Sequence, residues 1–555
     1  MRISPLLSLL GLGLAGLIAG SCSPGVLQPT TCTEDQSCRD AFGPNFACGE
    51  EGLCALTTCT DNSQCRMNLG LGWECSAETS LCEQPPIPDR CISEPPTLLT
   101  DPAAHKDDLI IGSIFDHSAF DIMVKAARLP VIQVNERDGF GGRAVGIIQC
   151  TNEEDPSLDI YDPEEATEYV GRILVERYGV QAIVGPATSG RAEVAYNALS
   201  PLGAVVISPS ATSPALTDID GLGPHTDEDP GLFWRTAPPD SLQGQVIAEQ
   251  MISELNAQNV AVIHEVGAYG EGLAEVFLLN FEGGGREAEA LPFTSDTDLA
   301  TITASVGAGS YDQVLMISSE TENVVNFLNA ASSLASYESK GIFLTDGARD
   351  AQLLLGTAGN AENLYPNIRG TVPANLQGIV YDTFAAAYSI AFDGENPADF
   401  GFSAHAFDAG WLALIGHAWG EAQGVAGGLG VAQGLRKISS GSQIDLNPND
   451  WNSIRASFAD AVSVDVRGAS GALDYDDATG ETTAPILVWT ISADGLSFVD
   501  VDCVDFGSGE SLCPDLGGDD DDSVGDDDDS AGDDDDSVGD DDDSAGDDDD
   551  SAVAR

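Results

Sequence analysis

Between Leu109 and Thr345 the chain alternates short runs of β-branched and other apolar residues with longer stretches in which apolar side chains recur every three or four positions. Runs of the first kind, bounded by glycine, proline and polar turns, read as buried strands. The stretches between them read as amphipathic helices. The pattern predicts strands over 109–114, 144–150, 182–184, 204–208, 260–265, 313–318 and 341–345, and helices over 164–178, 241–256 and 270–281. Strands that alternate with helices build βαβ units, so the body is an α/β protein with doubly wound parallel sheets. Ligands of such sheets sit beyond the carboxyl ends of the strands, which directs attention to the loops 115–119, 185–191, 209–213, 266–269, 319–322 and 346–349. After about Gly434 the pattern turns toward a meander that ends in an apolar run over 485–492. At 555 residues the chain is too long for one core, because single cores stop growing near about 250 residues.

The flanks differ in kind from this body. Met1 and Arg2 precede an apolar run over 6–18 and then Ala19, Gly20 and Ser21 before Cys22, the layout of an export signal. The run is shorter than the roughly 20 residues that span a bilayer. Small residues leading into a cysteine resemble a bacterial lipobox, so 1–21 is read as the signal and Cys22 as the acylated residue that anchors the protein to a membrane. Ala19 stands where that motif usually has leucine, which leaves ordinary cleavage without lipid as the alternative. Multiple acyl chains are what make such an anchor stable.

Thirteen cysteines less Cys22 leave twelve, an even number that suits full pairing in an oxidising compartment. Cys32, Cys38, Cys48 and Cys54 form one small module, and Cys59, Cys65, Cys75 and Cys82 repeat it 27 residues later, with TCTED at 31–35 matched by TCTDN at 58–62. Neither copy can bury a core, and disulfides at about 2 to 4 kcal/mol each replace one. Gaps of five and nine residues without histidine argue against zinc, the rival use of such cysteines; no metal or cofactor is expected. The connectivity within the modules stays open. Cys503 and Cys513 close a short loop, and Cys91 with Cys150 remains as a pair by elimination. Prolines at 85, 86, 88, 95 and 96 mark a semi-rigid linker. The reading is therefore 22–97 for repeats and linker, 98–513 for the body, and 514–555 for a tail of repeated Gly-Asp-Asp-Asp-Asp-Ser units that cannot collapse. Weak calcium binding is the alternative to a solubilising spacer there. With a net charge of −69, and 70 acids against 21 bases ahead of the tail, nucleic acid and anionic membrane surfaces are excluded as electrostatic partners.

Four stretches carry a resemblance. They are QAIVGPATSG at 181–190 with AVVISPSATS at 204–213, FWRTAPPDSLQG at 233–244, VAVIHEVGAYGEG at 260–272 and AFDAGW at 406–411. In order and spacing they resemble the type I periplasmic solute-binding family, in particular the branched-chain amino acid binding proteins of ABC transporters, over roughly 108–495. The resemblance implies two hinged lobes joined by three crossings, the first from about 108–238 plus 372–425 and the second from the remainder. It further implies a small-molecule, amino-acid-like ligand in the cleft and an ABC permease as partner. The alternative use of the same fold is a lipid-anchored surface sensor or adhesion protein without transport. The segment 115–135 looks shorter than its counterpart in the family.

By the same resemblance the hydroxyls of Ser189 and Thr212, with the backbone around Ser210, hold the ligand's carboxylate and ammonium groups. A helix N-terminus at Ser189 suits a carboxylate on physical grounds as well. Asp346 falls where the family pairs an acid with the ligand ammonium, and Tyr269 matches the tyrosine of its Tyr-Gly-Glu-Gly motif. Ser319 and Glu320 stand where many relatives present tyrosine. Catalysis has no motif to support it: there is no phosphate-binding Gly-x4-Gly-Lys loop, no Gly-x-Ser-x-Gly elbow and no His-Glu-x-x-His. His264, in a strand, reads as a packed or cleft-edge residue rather than a base.

Overall fold

The computed structural model describes residues 31–221, 224–283, 285–375, 378–506 and 513. The signal segment 1–21, Cys22 and the tail 514–555 lie outside the described residues. No described helix is long and apolar enough to cross a membrane.

Each cysteine module is one short helix, Asp35–Phe42 or Asn62–Leu69, followed by a two-stranded hairpin. The hairpins are β1 (Phe46–Cys48) with β2 (Cys54–Leu56) and β3 (Glu74–Cys75) with β4 (Cys82–Glu83). The structure resolves the connectivity as first to third and second to fourth in both copies: Cys32–Cys48 and Cys38–Cys54, then Cys59–Cys75 and Cys65–Cys82. Cys91–Cys150 and Cys503–Cys513 complete six bonds, so the sulfurs that cluster closely enough to hold a metal are engaged with one another instead.

Two larger sheets follow. The first has the order β10-β9-β8-β6-β7-β5, with β5 (Cys91–Glu94), β6 (Leu109–Phe115), β7 (Val145–Thr151), β8 (Ala182–Val184), β9 (Val205–Ser208) and β10 (Phe233–Arg235). All its pairs are parallel except β5 with β7. The second has the order β12-β11-β13-β14-β15-β18-β19. It comprises β11 (Asn259–Glu265), β12 (Glu287–Phe293), β13 (Gln313–Ile317), β14 (Gly341–Leu344), β15 (Ile368–Pro373), β18 (Ile486–Ile491) and β19 (Phe498–Val504), the last two antiparallel. A parallel sheet covered on both faces needs apolar residues on both, and β6 supplies them: Ile111 and Phe115 enter one core while Ile110 and Ile114 enter the other. In the second sheet Ala261 and Ile263 of β11 face one core and Val260 and Val262 the opposite one. The seven expected strands are present, and β10, β12 and β15 join them.

Three readings need correction. Residues 91–94 are not linker: they form the edge strand β5, pinned to β7 by backbone pairing and by Cys91–Cys150. The first lobe does not end near 425. Helices Gly427–Leu435 and Trp451–Ala459, with β16 (Ser442–Asp445) and β17 (Val464–Arg467), add to its core, because Trp451 packs 5.8 Å from Trp411 and 5.7 Å from Phe140. Nor is the stretch after Gly434 a meander. β16 and β17 are parallel with a helix between them, a further βαβ unit that alternation alone could not reveal in so polar a segment.

The 21-residue helix Ser403–Gln423 is the spine of the first lobe and is buried along most of its length. It lies so close to helix Asp121–Asn135 that a Cβ on Gly410 would stand 2.6 Å from the carbonyl oxygen of Ala127. Among the described residues the chain passes between lobes three times: from β10 to helix Asp240–Ser253, from β15 to helix Ile379–Ala391, and from the end of the first lobe's core near Leu473 into β18.

The cysteine modules are not strung loosely on a linker. Arg177, in a π-helical turn (Ile173–Arg177) just before β8, donates to the carbonyls of Pro86 at 2.8 Å and Pro85 at 2.6 Å. Arg66 donates to the Glu176 carbonyl, and Leu71 packs against the core that holds Leu174 and Tyr178. The two modules are joined by Asn45, whose amide exchanges hydrogen bonds with the backbone of Cys82 at 2.8 and 3.0 Å. These contacts lie at the amino ends of the strands, the pole of the first lobe opposite its ligand loops.

Candidate functional site

The carboxyl ends of β8 and β9 supply one wall. Immediately after β8, Gly185 adopts φ 92°, and a Cβ there would stand 2.3 Å from the carbonyl of Ile114, so only glycine lets the chain turn against β6. The turn delivers Thr188 in extended backbone as N-cap and Ser189 as the first residue of helix Ser189–Leu199. Ser189 is buried, and its Oγ accepts from the Ser213 amide at 3.1 Å. Ser210 Oγ donates to the Ala187 carbonyl at 2.9 Å, and Ser208 Oγ to that of Pro186 at 2.6 Å, which ties the two loops together. Thr212 is 1% exposed and its hydroxyl lies against the Asp240 carboxyl.

Arg235 holds this loop from beneath. Its Nη1 donates to the carbonyls of Ala211 and Ser213, both at 2.9 Å, and its Nη2 to Thr217 Oγ1 at 2.9 Å. Glu481, from the third crossing, neutralises it within the core. Neither was anticipated from the sequence, although Arg235 lies inside a stretch quoted there.

The second lobe supplies the opposite wall. Asp346 opens a 3-10 turn directly after β14 and is 4% exposed, with the Tyr269 hydroxyl donating to its Oδ1 and lying 2.8 Å from Thr345 Oγ1. Burial pushes the Asp346 carboxyl above the usual carboxylate range and the Tyr269 phenol well above its own. Asp240, first residue of helix Asp240–Ser253, is fully buried with the Thr212 hydroxyl beside its carboxyl, and its amide donates to the Thr212 carbonyl at 2.8 Å. Burial and then the nearby charge of Asp346 raise it well above the ordinary value. The sequence reading passed over Asp240, and a carboxylate in the quoted FWRTAPPDSLQG stretch was its only signal.

Ser189, Ser210, Tyr269 and Asp346 line one narrow cavity of about 30 Å³ between the lobes, with Phe120, Phe400 and Phe402 forming its apolar side. Thr212 lies behind the loop rather than on that wall. The cavity leads into a larger chamber of about 610 Å³, which Ser189, Thr188, Tyr269 and Ser319 also line. Contacts that join the lobes across the cleft include Arg191 Nη2 with Glu320 Oε1 at 3.1 Å, Ser213 Oγ donating to the Ala268 carbonyl at 2.6 Å, and the Gly401 amide donating to the Arg349 carbonyl at 3.3 Å. His264 is 6% exposed with Nδ1 at 3.0 Å from the Glu265 carbonyl, and it lines neither cavity. Phe115 is fully buried in the core of the first lobe.

A two-lobed α/β molecule with polar groups from both lobes converging on an interlobe cavity is a ligand-enclosing binding protein. The chain belongs to the periplasmic binding protein family, whose model matches residues 116–495. The relatives it matches are named as binding proteins, not enzymes. Similar curated proteins include the Leu/Ile/Val-binding protein BraC3 of Rhizobium johnstonii, 28% identical over 222 residues (38% of this chain, 55% of that one). Another is the Leu/Ile/Val-binding protein homolog 3 of Brucella melitensis, 26% identical over 268 residues (47% and 62%). The chain thus spans a little over half the length of these relatives. Among solved structures, the branched-chain amino acid transporter substrate binding protein LivJ from Streptococcus pneumoniae, in complex with isoleucine, shares the fold with a TM-score of 0.54 at 21% identity, over 71% of this chain and 100% of that one. A leucine binding protein, LivK, from Thermotoga maritima does so with a TM-score of 0.56 at 16% identity, over 71% and 98%.

Proposed function

We propose that the protein captures an α-amino acid in the interlobe cleft and presents it to the permease of an ABC importer. The observation that carries the reading is the convergence of Asp346 and Tyr269 from one lobe with Ser189 and Ser210 from the other on a single cavity. An acid faces a helix N-terminus there, which suits the two charges of an amino-acid head group. The names of the curated relatives, all amino-acid binders, support the same class. Family membership and six disulfides mark an exported protein. Acylation at Cys22 would hold it on a membrane of the cell envelope, and Cys22→Ala would then release it to soluble fractions.

Closure must be driven by contacts that the ligand makes only when both lobes touch it. A thermal-shift screen of the purified protein against the common amino acids is the direct test. A ligand at 100 times its Kd stabilises by about 2.7 kcal/mol, a readily visible shift. If no amino acid moves the midpoint, the reading fails. A second reading, a surface sensor that uses the same cleft without transport, is favoured by the cysteine modules fixed to the first lobe. A permease gene beside this one argues for import, and surface-protein genes in its place argue for the sensor.

A further inference from the structure

We propose that Asp240 and Asp346 share one proton while the cleft is empty and that an incoming ammonium group expels it, so that capture of an amino acid is linked to release of a proton. The inference rests on the reading of the cleft as an amino-acid site and adds a proton to its chemistry.

The two carboxyls come from different elements. Asp240 opens helix Asp240–Ser253 at the end of the first crossing and is fully buried, and Asp346 opens the turn after β14 and is 4% exposed. Gln243 lies three residues on from Asp240 and therefore on the same helix face. Its side-chain amide faces Asp346 and donates to Thr371 Oγ1 at 3.0 Å. The Tyr269 hydroxyl donates to Asp346 and lies within the field of Asp240 as well.

Two buried anions in one cluster need a cation, and none is free to serve. Arg235 faces Asp240, but all five of its N–H donors are engaged, by Glu481, by the Ala211 and Ser213 carbonyls and by Thr217 Oγ1. Among the described residues no lysine or arginine lines the inner cavity. A buried carboxylate without a counter-ion takes up a proton instead of staying charged. Asp346 keeps the negative charge because Tyr269, Gln243 and the Gly347 amide all donate to it, whereas Asp240 has the Thr212 hydroxyl and so holds the proton.

An ammonium group against Asp346 cancels the charge that opposes ionisation of Asp240 and sets a cation near it. The O–H bond of Asp240 then breaks, its electron pair stays on the carboxylate oxygen, and the proton passes to water before the lobes close. The pair goes from one negative charge to two, and the ammonium balances the second. The other titratable groups of the cleft already have partners: Arg191 with Glu320 and Asp116, and Glu265 with Ser318 Oγ and the Ser319 amide.

Difference infrared spectra of the ligand-free full chain at pH 7, parent minus Asp240→Asn, should show the carbonyl stretch of a neutral carboxylic acid. Isothermal titration with each of the common L-amino acids, in phosphate and in Tris at pH 7, then counts protons through the unequal ionisation heats of the buffers. The parent should release about one proton per molecule bound and the variant none, and the parent's affinity should rise close to tenfold from about pH 6 to 7. A melting midpoint no lower than the parent's shows that the variant folds; should it not fold, the parent's proton count decides alone. No neutral-acid band, less than about half a proton released by the parent, or equal release by the variant overturns the inference and leaves the amino-acid reading standing. Silence from every amino acid overturns that reading, and the linkage with it.

Discussion

Arg235 and Glu481 meet in the core through two parallel hydrogen bonds, Nε to Oε2 at 2.7 Å and Nη2 to Oε1 at 2.5 Å. Arg235 ends the strand that leads into the first crossing between the lobes, and Glu481 lies in the third. The pair thus fastens two hinge strands to each other, while the remaining guanidinium donors hold the loop that carries Ser210 and Thr212. Glu481→Leu leaves a buried cation without its partner and is expected to destabilise the protein by about 3 to 5 kcal/mol. Denaturant unfolding measures this, and a cost under about 1 kcal/mol contradicts it.

Asp240 behaves oppositely. Its folded carboxyl titrates far above the unfolded value, so the unfolded state ionises first as pH rises, and stability falls from pH 4 upward toward neutrality. Asp240→Asn removes a charge whose ionisation burial and the nearby Asp346 oppose, so it should stabilise the ligand-free protein at pH 7 by roughly 1 to 3 kcal/mol. The gain should vanish below about pH 3.8, where both forms are neutral. Unfolding midpoints of parent and variant across pH 3.5 to 7.5 decide the point, and a gain independent of pH rules out the linkage.

The two ends of the cleft should fail differently. Asp346→Ala removes the charge partner of an enclosed ammonium and is expected to weaken ligand binding by at least about 30-fold. Ser189→Ala removes one hydroxyl beside a helix terminus whose amides still face the carboxylate, so a loss nearer tenfold is expected. Titration of the ligand found by screening makes the comparison. Affinities within twofold of the parent for both variants would move the site elsewhere.

Arg177 fixes the proline segment between the second module and β5. Arg177→Met keeps the side chain's apolar bulk but removes both hydrogen bonds to the Pro85 and Pro86 carbonyls. Limited proteolysis should then cut within 83–90 at least about fivefold faster, as local opening becomes easier, while the body unfolds at nearly its parent midpoint. Equal cutting rates would mean that the modules dock through other contacts.

What the sequence determined by itself was local. Continuous runs of β-branched and other apolar residues in β6, β9 and β11 marked buried strands because such side chains must face a core on both sides of a parallel sheet. The duplicated cysteine spacing marked two small disulfide modules, the motifs at 181–213 and 260–272 led to Ser189, Ser210, Thr212 and Tyr269, and the end of the strand at 341–345 led to Asp346; the fold brings all of these but Thr212 onto one cavity. What only the tertiary structure decided depends on residues far apart in the chain. Disulfide pairing follows from which cysteines a helix and a hairpin bring within reach, and spacing permits several answers. Trp451 and its helix belong to the first lobe because Trp411 and Phe140 await it there, about 40 and 310 residues away, and nothing in its own neighbourhood says so. Arg235 becomes the keystone of the ligand loop only when Glu481 arrives from the third crossing to neutralise it. Asp240 becomes a deeply buried acid only when helix Asp240–Ser253 seals it against Thr212 and near Asp346. Burial and partnership are properties of the packed chain, and they decide what a charged side chain can do.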